Sequence, residues 1–140
     1  MIKITDYNRS ELDIYAHMSE PQLRTIYEPE EGLFIAESPM VIERALDAGY
    51  IPESVLTCRE ALAGHGRTVI NQIEEQYPNI PIYVGSDEVL AQIRGYQLTR
   101  GVLCAMKRRE YPSPESILKE SRRVVLLHDV ENPSNVGSIF

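Results

Sequence analysis

The stretch that decides the fold is residues 33–49, LFIAESPMVIERALDAG. It begins with a short apolar run, which predicts a strand at residues 33–36. Ser38 can then cap a helix, and Pro39 suits the first helical position. The apolar residues that follow are spaced for one helix face, and Gly49 is placed to end the helix. A strand followed so closely by a helix is typical of an α/β sheet domain.

The same alternation continues along the rest of the chain. Four further apolar runs predict strands, within residues 52–58, 80–84, 101–106 and 124–127. Two stretches with one-face apolar spacing predict helices, one around Val69, Ile70 and Ile73 and the other around Val89, Leu90 and Ile93. Residues 10–26 suggest two short helical turns interrupted near Pro21. The pattern predicts an α/β domain with helices on the faces of a largely parallel sheet.

The character of the sequence changes at residues 107–122, KRREYPSPESILKESR. This stretch is charged, contains two prolines and has little apolar content. It is predicted to be a linker with a short helix from Ser113. The expected organisation is a domain over residues 1–107, a linker over 108–122, and the start of a second domain over 123–140.

Composition sets the broad class of protein. The chain has 140 residues, of which 43% are hydrophobic and 25% are charged, as in an ordinary soluble domain. It contains no apolar run long enough to span a bilayer and no apolar signal sequence at its start, which predicts a cytoplasmic protein. Cys58 and Cys104 are expected to be buried reduced thiols. The histidines lack metal-ligand spacing, so no metal site is expected.

Charge is unevenly distributed along the chain. The net charge is −7, which by itself argues against a nucleic-acid partner. Residues 1–93 carry 6 basic and 16 acidic side chains, but residues 94–123 carry 8 basic and 3 acidic ones. Binding of RNA depends on local positive potential more than on net charge. The basic stretch is therefore either an RNA-binding surface or a solvated linker.

The segment most informative about chemistry is residues 123–140, RVVLLHDVENPSNVGSIF. An expected buried strand runs into a polar loop, and loops at the carboxyl ends of strands are where ligands usually bind in α/β sheets. The short polar groups of Asp129, Glu131 and Asn135 could position a ribose or a nucleophile. The simpler reading is a loop that leads into a helix capped by Ser134 or Asn135. Spacing alone leaves both readings open.

This segment resembles the first motif of the SpoU (TrmH) family of RNA 2′-O-ribose methyltransferases, part of the SPOUT superfamily. That motif is a strand followed by an aspartate, an Asn-Pro pair, a second asparagine, a glycine and an arginine. The matching residues are Asp129, Asn132, Pro133, Asn135 and Gly137. The motif arginine would fall at position 141, one residue after Phe140, which suggests a chain cut off at the start of the catalytic domain.

Upstream segments resemble the substrate-binding domain of the same family. In residues 33–49 the matching positions are Phe34, Glu37, Ala48 and Gly49, while Ser38 stands where glycine is usual. The stretches VGSDEVLAQI (84–93) and TRGVLCAMKR (99–108) are similar to two further parts of that domain, with Arg100 where glutamine is common. Together the resemblance covers roughly residues 30–140.

The resemblance implies a small three-layer α/β/α, ribosomal-protein-like RNA-binding domain, followed by the first strand of a truncated trefoil-knot methyltransferase domain. The full-length enzyme would use S-adenosylmethionine to methylate a ribose 2′-OH of rRNA or tRNA, and it would form a homodimer through the missing domain. Asn135 would support the active site. The cofactor site would be absent from this chain, so the fragment is expected to be inactive and monomeric.

Six residues are predicted to contact RNA. Five are basic residues that would meet phosphates, namely Arg94, Arg100, Lys107, Arg108 and Arg109. The sixth, Glu37, lies where a strand meets a helix, although capping of that helix is the simpler role for Glu37 and Ser38. Tyr96 and Tyr111 are candidates for stacking on bases.

Two rival functions stay open at this point. One is a stand-alone RNA- or ribonucleoprotein-binding module without catalysis. The other is a small metabolic α/β enzyme whose NPSNVG loop (132–137) binds a phosphate, although no glycine-rich phosphate motif accompanies that loop.

Overall fold

The chain forms two compact units, Met1–Arg109 and Glu110–Phe140. The computed structural model describes residues 1–6, 8–16, 22–23, 32–94, 101–110, 112–130 and 133–139, without the side chains of 92–94 and 133–134. Within these ranges no helix is both long and apolar enough to cross a membrane.

The first unit alternates strands and helices, as the sequence predicts. Its strands are β1 (Ile2–Lys3), β2 (Leu33–Glu37), β3 (Pro52–Cys58), β4 (Ile82–Gly85) and β5 (Val102–Lys107). Its helices are α1 (Asp13–Ala16), α2 (Pro39–Asp47), α3 (His65–Gln76) and α4 (Asp87–Arg94), with 3₁₀ turns at Ser10–Leu12 and Ala61–Ala63. The predicted strand and helix segments within residues 33–106 are all present. Strand β1 is an addition that its short length concealed in the sequence.

The five strands form one mixed sheet in the order β1-β4-β3-β5-β2. The β1–β4 and β4–β3 pairs are parallel, whereas the β3–β5 and β5–β2 pairs are antiparallel. The prediction of a largely parallel sheet is therefore wrong for half of the pairings. Four strands do share one direction, but β5 is reversed and lies between β3 and β2. Alternation of elements along a sequence cannot reveal such a reversal, because apolar strands of either direction look alike.

Helices cover both faces of this sheet, over two separate cores. Alternate residues of a strand point to opposite faces. Leu56 of β3 accordingly packs in a cluster with α1 and α4, while its neighbour Val55 packs in a cluster with α2 and α3. Because the central strands are covered on both sides, β5 is buried from Val102 to Met106. The predicted buried thiols are confirmed, with Cys58 and Cys104 both free and buried.

Local sequence accounts for helix α2 at both ends. The Ser38 side chain accepts a hydrogen bond from the Val41 backbone N–H at 3.4 Å, which satisfies one free donor of the first turn. Gly49 has a φ of +77°, a conformation that favours glycine, and its N–H bonds the carbonyl of Leu46 at 2.7 Å. Both residues have the roles that the sequence predicts.

A buried tyrosine makes hydrogen bonds at the irregularity in the pairing of β3 and β5. The β3–β5 register shifts between Pro52 and Ser54, opposite Ala105 and Met106. There the Tyr15 hydroxyl lies 2.7 Å from Ser54 Oγ and accepts a hydrogen bond from the Ala105 N–H at 3.3 Å. Burial raises the pKa of Tyr15, so the hydroxyl stays neutral. This contact ties α1 to the two central strands.

We expect Tyr15→Phe to destabilise the first unit by about 1–3 kcal/mol, because it leaves buried polar groups without their partner. Thermal or urea unfolding measured by circular dichroism would give the difference. Tyr50→Phe is a suitable control, since the described contacts of Tyr50 are made by its ring with Phe34 and Arg109. Equal stability of the Tyr15 and Tyr50 variants would contradict this role.

The second unit contains two helices, α5 (Pro114–Glu120) and α6 (Pro133–Ile139). Ser113 caps α5 by accepting from the Ser116 N–H, as the sequence predicts. The buried strand predicted at residues 124–127, the expected first strand of a knotted domain, is not formed. Val124, Val125 and Leu126 are 50%, 55% and 91% exposed. A strand needs a neighbouring strand to bond with, and the described residues of this unit offer none.

Candidate functional site

The carboxyl ends of four strands meet at one edge of the sheet. Strands β1, β2, β3 and β4 share a direction, so the residues that follow them lie along that edge. The N-terminal ends of α2, α3 and α4 come directly after three of these strands or their loops. In open α/β sheets this is the edge at which ligands usually bind.

A cleft of about 380 Å³ opens at this edge, around the ends of β1, β3 and β4. Its polar lining residues are Lys3, Thr5, Arg59 and Ser86. Its apolar lining is supplied mainly by Ile4, Val84 and Val89, with Gly85 between strand and helix. All four polar residues are exposed, so the cleft presents two cations and two hydroxyl groups to solvent.

Three of the residues predicted to bind RNA lie at the opposite edge of the sheet. Lys107 is the last residue of β5, and Arg108 and Arg109 follow it. The ammonium group of Lys107 lies 3.2 Å from Glu53 Oε2, and both side chains are partly exposed. An exposed ion pair of this kind contributes little to stability and can be exchanged for another partner.

The two arginines of this group are engaged with the protein itself. Arg108 donates through Nε to the carbonyl of Leu33 at 3.0 Å, and its guanidinium lies 5.7 Å from the centre of the Phe34 ring. Arg109 donates to the carbonyl of Ala48, at the end of α2, and lies 4.6 Å from the centre of the Tyr50 ring. Both therefore anchor the end of β5, a role that charge counting in the sequence did not reveal.

Glu37 lies away from these basic residues. Glu37 ends β2 at the same edge of the sheet as the cleft, where it pairs with Leu103. At the other end of β2, Leu33 pairs with Lys107. Four residues of strand separate the two positions, which is about 13 Å. The Ser38 N–H bonds the carbonyl of Val102 at 3.0 Å, so this strand end is held by the backbone. The structure does not bring Glu37 and the basic group into one site.

Two of the predicted RNA contacts cannot be placed. Arg100, like Tyr96 and Tyr111, lies outside the described residues, and only the backbone of Arg94 is described, at the end of α4. Asn135, the predicted catalytic residue, is exposed within helix α6. The chain around it is helical from Pro133 to Ile139, so Ser134 and Asn135 lie inside the helix rather than at its N-cap, and the polar loop expected over these residues is not formed.

Three possible metal ligands converge near the cleft. The donor atoms of Cys58, Glu60 and Asp87 lie within 4.8 Å of one another. Burial raises the pKa of the Cys58 thiol, and the charges of Asp87 and Glu60 act in the same direction. Both carboxylates are exposed, as acidic surface residues commonly are.

Sequence reasoning missed the polar residues of the cleft. Lys3, Thr5 and Arg59 belong to no motif, and Ser86 lies in the stretch VGSDEVLAQI (84–93) without having been singled out there. The available signal was that Arg59 and Ser86 directly follow two strands, each just before a helical segment. That signal becomes informative only once β3 and β4 are known to be parallel neighbours.

Comparison with known proteins first defines the class. No protein-family model matches the chain. A crystal structure of an RNA 2′-O ribose methyltransferase superposes with a TM-score of 0.52, covering 81% of this chain and 42% of that one at 20% identity. At this identity the likeness shows a common fold, a mixed α/β sheet with helices.

The curated relatives narrow the class. Uncharacterized tRNA/rRNA methyltransferases from Mycobacterium bovis and Mycobacterium tuberculosis are 27% identical over 139 residues. The match covers 98% of this chain and 46% of each relative, so the chain spans about half the length of the proteins it matches. The resemblance to RNA methyltransferases that the sequence motifs indicate is confirmed by these relatives, about half of whose length the chain matches.

Proposed function

We propose that residues 1–109 are the RNA-recognition module of an S-adenosylmethionine-dependent rRNA or tRNA ribose 2′-O-methyltransferase. The observation that carries this proposal is the match of 98% of the chain to tRNA/rRNA methyltransferases of which it spans 46%. A compact, two-faced α/β unit with its own cores is suited to act as a separate module. Methyl transfer is assigned to the other half of such a protein.

The second unit does not fit S-adenosylmethionine. Its described residues form two seven-residue helices and no strand, and the apolar side chains at 124–126 are exposed. A cofactor pocket needs concave walls built from packed elements. The cofactor, the homodimer interface and the use of Asn135 in the active site are therefore assigned to the protein in which these residues join a complete catalytic domain. A cytoplasmic location agrees with this function.

RNA contact by the module is assigned first to the basic group Lys107, Arg108 and Arg109, with Arg94 and Arg100 near it in sequence. Lys107 is the most available of the three described residues, because Arg108 and Arg109 already hold backbone carbonyls. Phosphate contacts of this kind add affinity without selecting a sequence. Glu37, at the opposite edge, would meet a different part of the RNA.

The test is a titration of the chain with structured tRNA and rRNA fragments at 50 and 200 mM salt. If about three phosphates are contacted, affinity should fall by roughly 20- to 40-fold over this range, since each contact releases counterions. Lys107→Gln should flatten the salt dependence by about one contact, and Lys119→Gln is a control of equal charge change outside the first unit. Absence of binding at 50 mM salt would contradict the proposed module.

A further inference from the structure

The cations of the cleft at the ends of β1, β3 and β4 differ from those of the basic group (Lys107, Arg108 and Arg109) in their partners within the protein. Within the described part of the chain, neither Lys3 nor Arg59 makes an ion pair or a hydrogen bond through its side chain. Lys107, by contrast, has a carboxylate partner, and Arg109 holds a carbonyl. An exposed cation without an internal partner is free to bind an anion at no cost in internal contacts.

The walls of the cleft suit a flat apolar surface. Val84 and Val89 are half-buried and supply the accessible apolar walls, while Ile4 is only 2% exposed and belongs to the core behind them. Apolar walls with a few polar groups at fixed positions are the usual composition of a small-molecule site. The volume of about 380 Å³ lies near the lower end of the range for such sites.

The backbone beneath the cleft is closely packed. A Cβ atom added at Gly85 would lie 3.1 Å from Leu90 Cδ2 and 3.2 Å from Ile4 Cδ1. The absence of a side chain here allows β4, α4 and the residue after β1 to come together. The floor of the cleft is therefore tightly packed.

Acidic residues beside the cleft limit how much negative charge a bound ligand can carry there. Asp87 and Glu88 occupy the first turn of α4, and Glu60 follows Arg59. A hydrogen bond from Ser86 lowers the pKa of Glu88, so this carboxylate stays ionised at neutral pH. A tract of several phosphates would be repelled, whereas one phosphate between Lys3 and Arg59 is matched by two cations.

From this geometry we infer that the cleft is a single-nucleotide site, in which a base lies against the partly exposed side chains of Val84 and Val89 and its phosphate contacts Lys3 and Arg59. The hydroxyl group of Thr5 is placed to bond the polar edge of the base or the sugar, whereas that of Ser86, which donates to Glu88, can only accept a hydrogen bond from them. This inference rests on the proposed function only where it names an unpaired nucleotide of RNA as the ligand. A free nucleotide has the same base, sugar and phosphate, so the same contacts would bind it.

The experiment follows the backbone amide signals of the 140-residue chain by NMR during titration with UMP, CMP, AMP and GMP, with inorganic phosphate, and with a single-stranded RNA hexamer. We expect shifts at Thr5, Gly85 and Ser86 with the nucleotides. The double variant Lys3→Gln/Arg59→Gln should bind them about tenfold more weakly. Arg67→Gln/Lys119→Gln removes the same charge outside the cleft and should bind them as the unchanged chain does.

Each outcome bears on the proposal. Tighter binding of the hexamer than of mononucleotides, lost in the cleft variant, supports RNA as the source, while equal binding supports a free nucleotide. Equal effects of inorganic phosphate and nucleotides would overturn the base subsite. Unperturbed cleft amides at millimolar nucleotide, or equal loss in the control variant, would overturn the site. Binding of tRNA that is insensitive to the cleft variant would overturn the site while leaving the RNA-recognition module intact.

Discussion

Replacing Leu56 by alanine should destabilise the first unit by about 2–5 kcal/mol, the range expected for a buried leucine. Leu56 is fully buried in β3, between the parallel and antiparallel halves of the sheet. Its side chain belongs to the cluster that joins the sheet to α1 and α4. Truncation leaves a cavity that the paired strands on either side cannot close by moving.

A loss of this size is a large part of the stability of a unit of about one hundred residues. It should lower the melting temperature by roughly 10–30 °C, or prevent folding at 37 °C. Differential scanning calorimetry of the purified chain would measure the change. Leu126→Ala is the matched control, because Leu126 is 91% exposed and the same truncation there should shift the melting temperature by at most a degree or two. Similar melting temperatures for the two variants would show that the β3 core is wrongly assigned.

The 140-residue chain should transfer no methyl group to RNA, even at saturating S-adenosylmethionine. Methyl transfer requires donor and hydroxyl to be held in line at close range, which takes a preformed pocket. The described residues of the second unit offer two short helices and exposed apolar side chains instead. The motif residue Asn135 lies exposed in one of those helices, without a neighbouring catalytic group described.

Incorporation of tritiated methyl groups into total tRNA and rRNA would measure this activity, with an active RNA 2′-O-methyltransferase on the same RNA as the positive control. Calorimetric titration with S-adenosylmethionine should give no heat of binding. Incorporation above the protein-free blank, located at a ribose by resistance to alkaline hydrolysis, would overturn the proposal that methyl transfer needs residues beyond this chain. The RNA-binding test of the module is independent of this result.

Local sequence determined most of the elements of the first unit. Ser38, Pro39 and Gly49 define a helix through capping and backbone conformation, which depend on near neighbours only. The helix around residues 69–73 and the strands β3 and β5 were likewise predictable from the apolar pattern of their own segments. The resemblance to RNA methyltransferases was also visible in the sequence alone, in the motif residues around Asn135 and the stretch near Phe34, because such a resemblance is a property of the sequence.

Tertiary structure alone decided what these elements do together. The reversal of β5 depends on which strands pair, and Val124, Val125 and Leu126 are exposed rather than in the buried strand that their sequence predicts. Lys107, Arg108 and Arg109 look like one basic patch in sequence, yet two of them anchor backbone carbonyls. Lys3 and Arg59 share a cleft although 56 positions separate them. The pairing of strands and the meeting of distant residues in one cleft both depend on long-range contacts. Such contacts cost chain entropy that no local sequence pattern records.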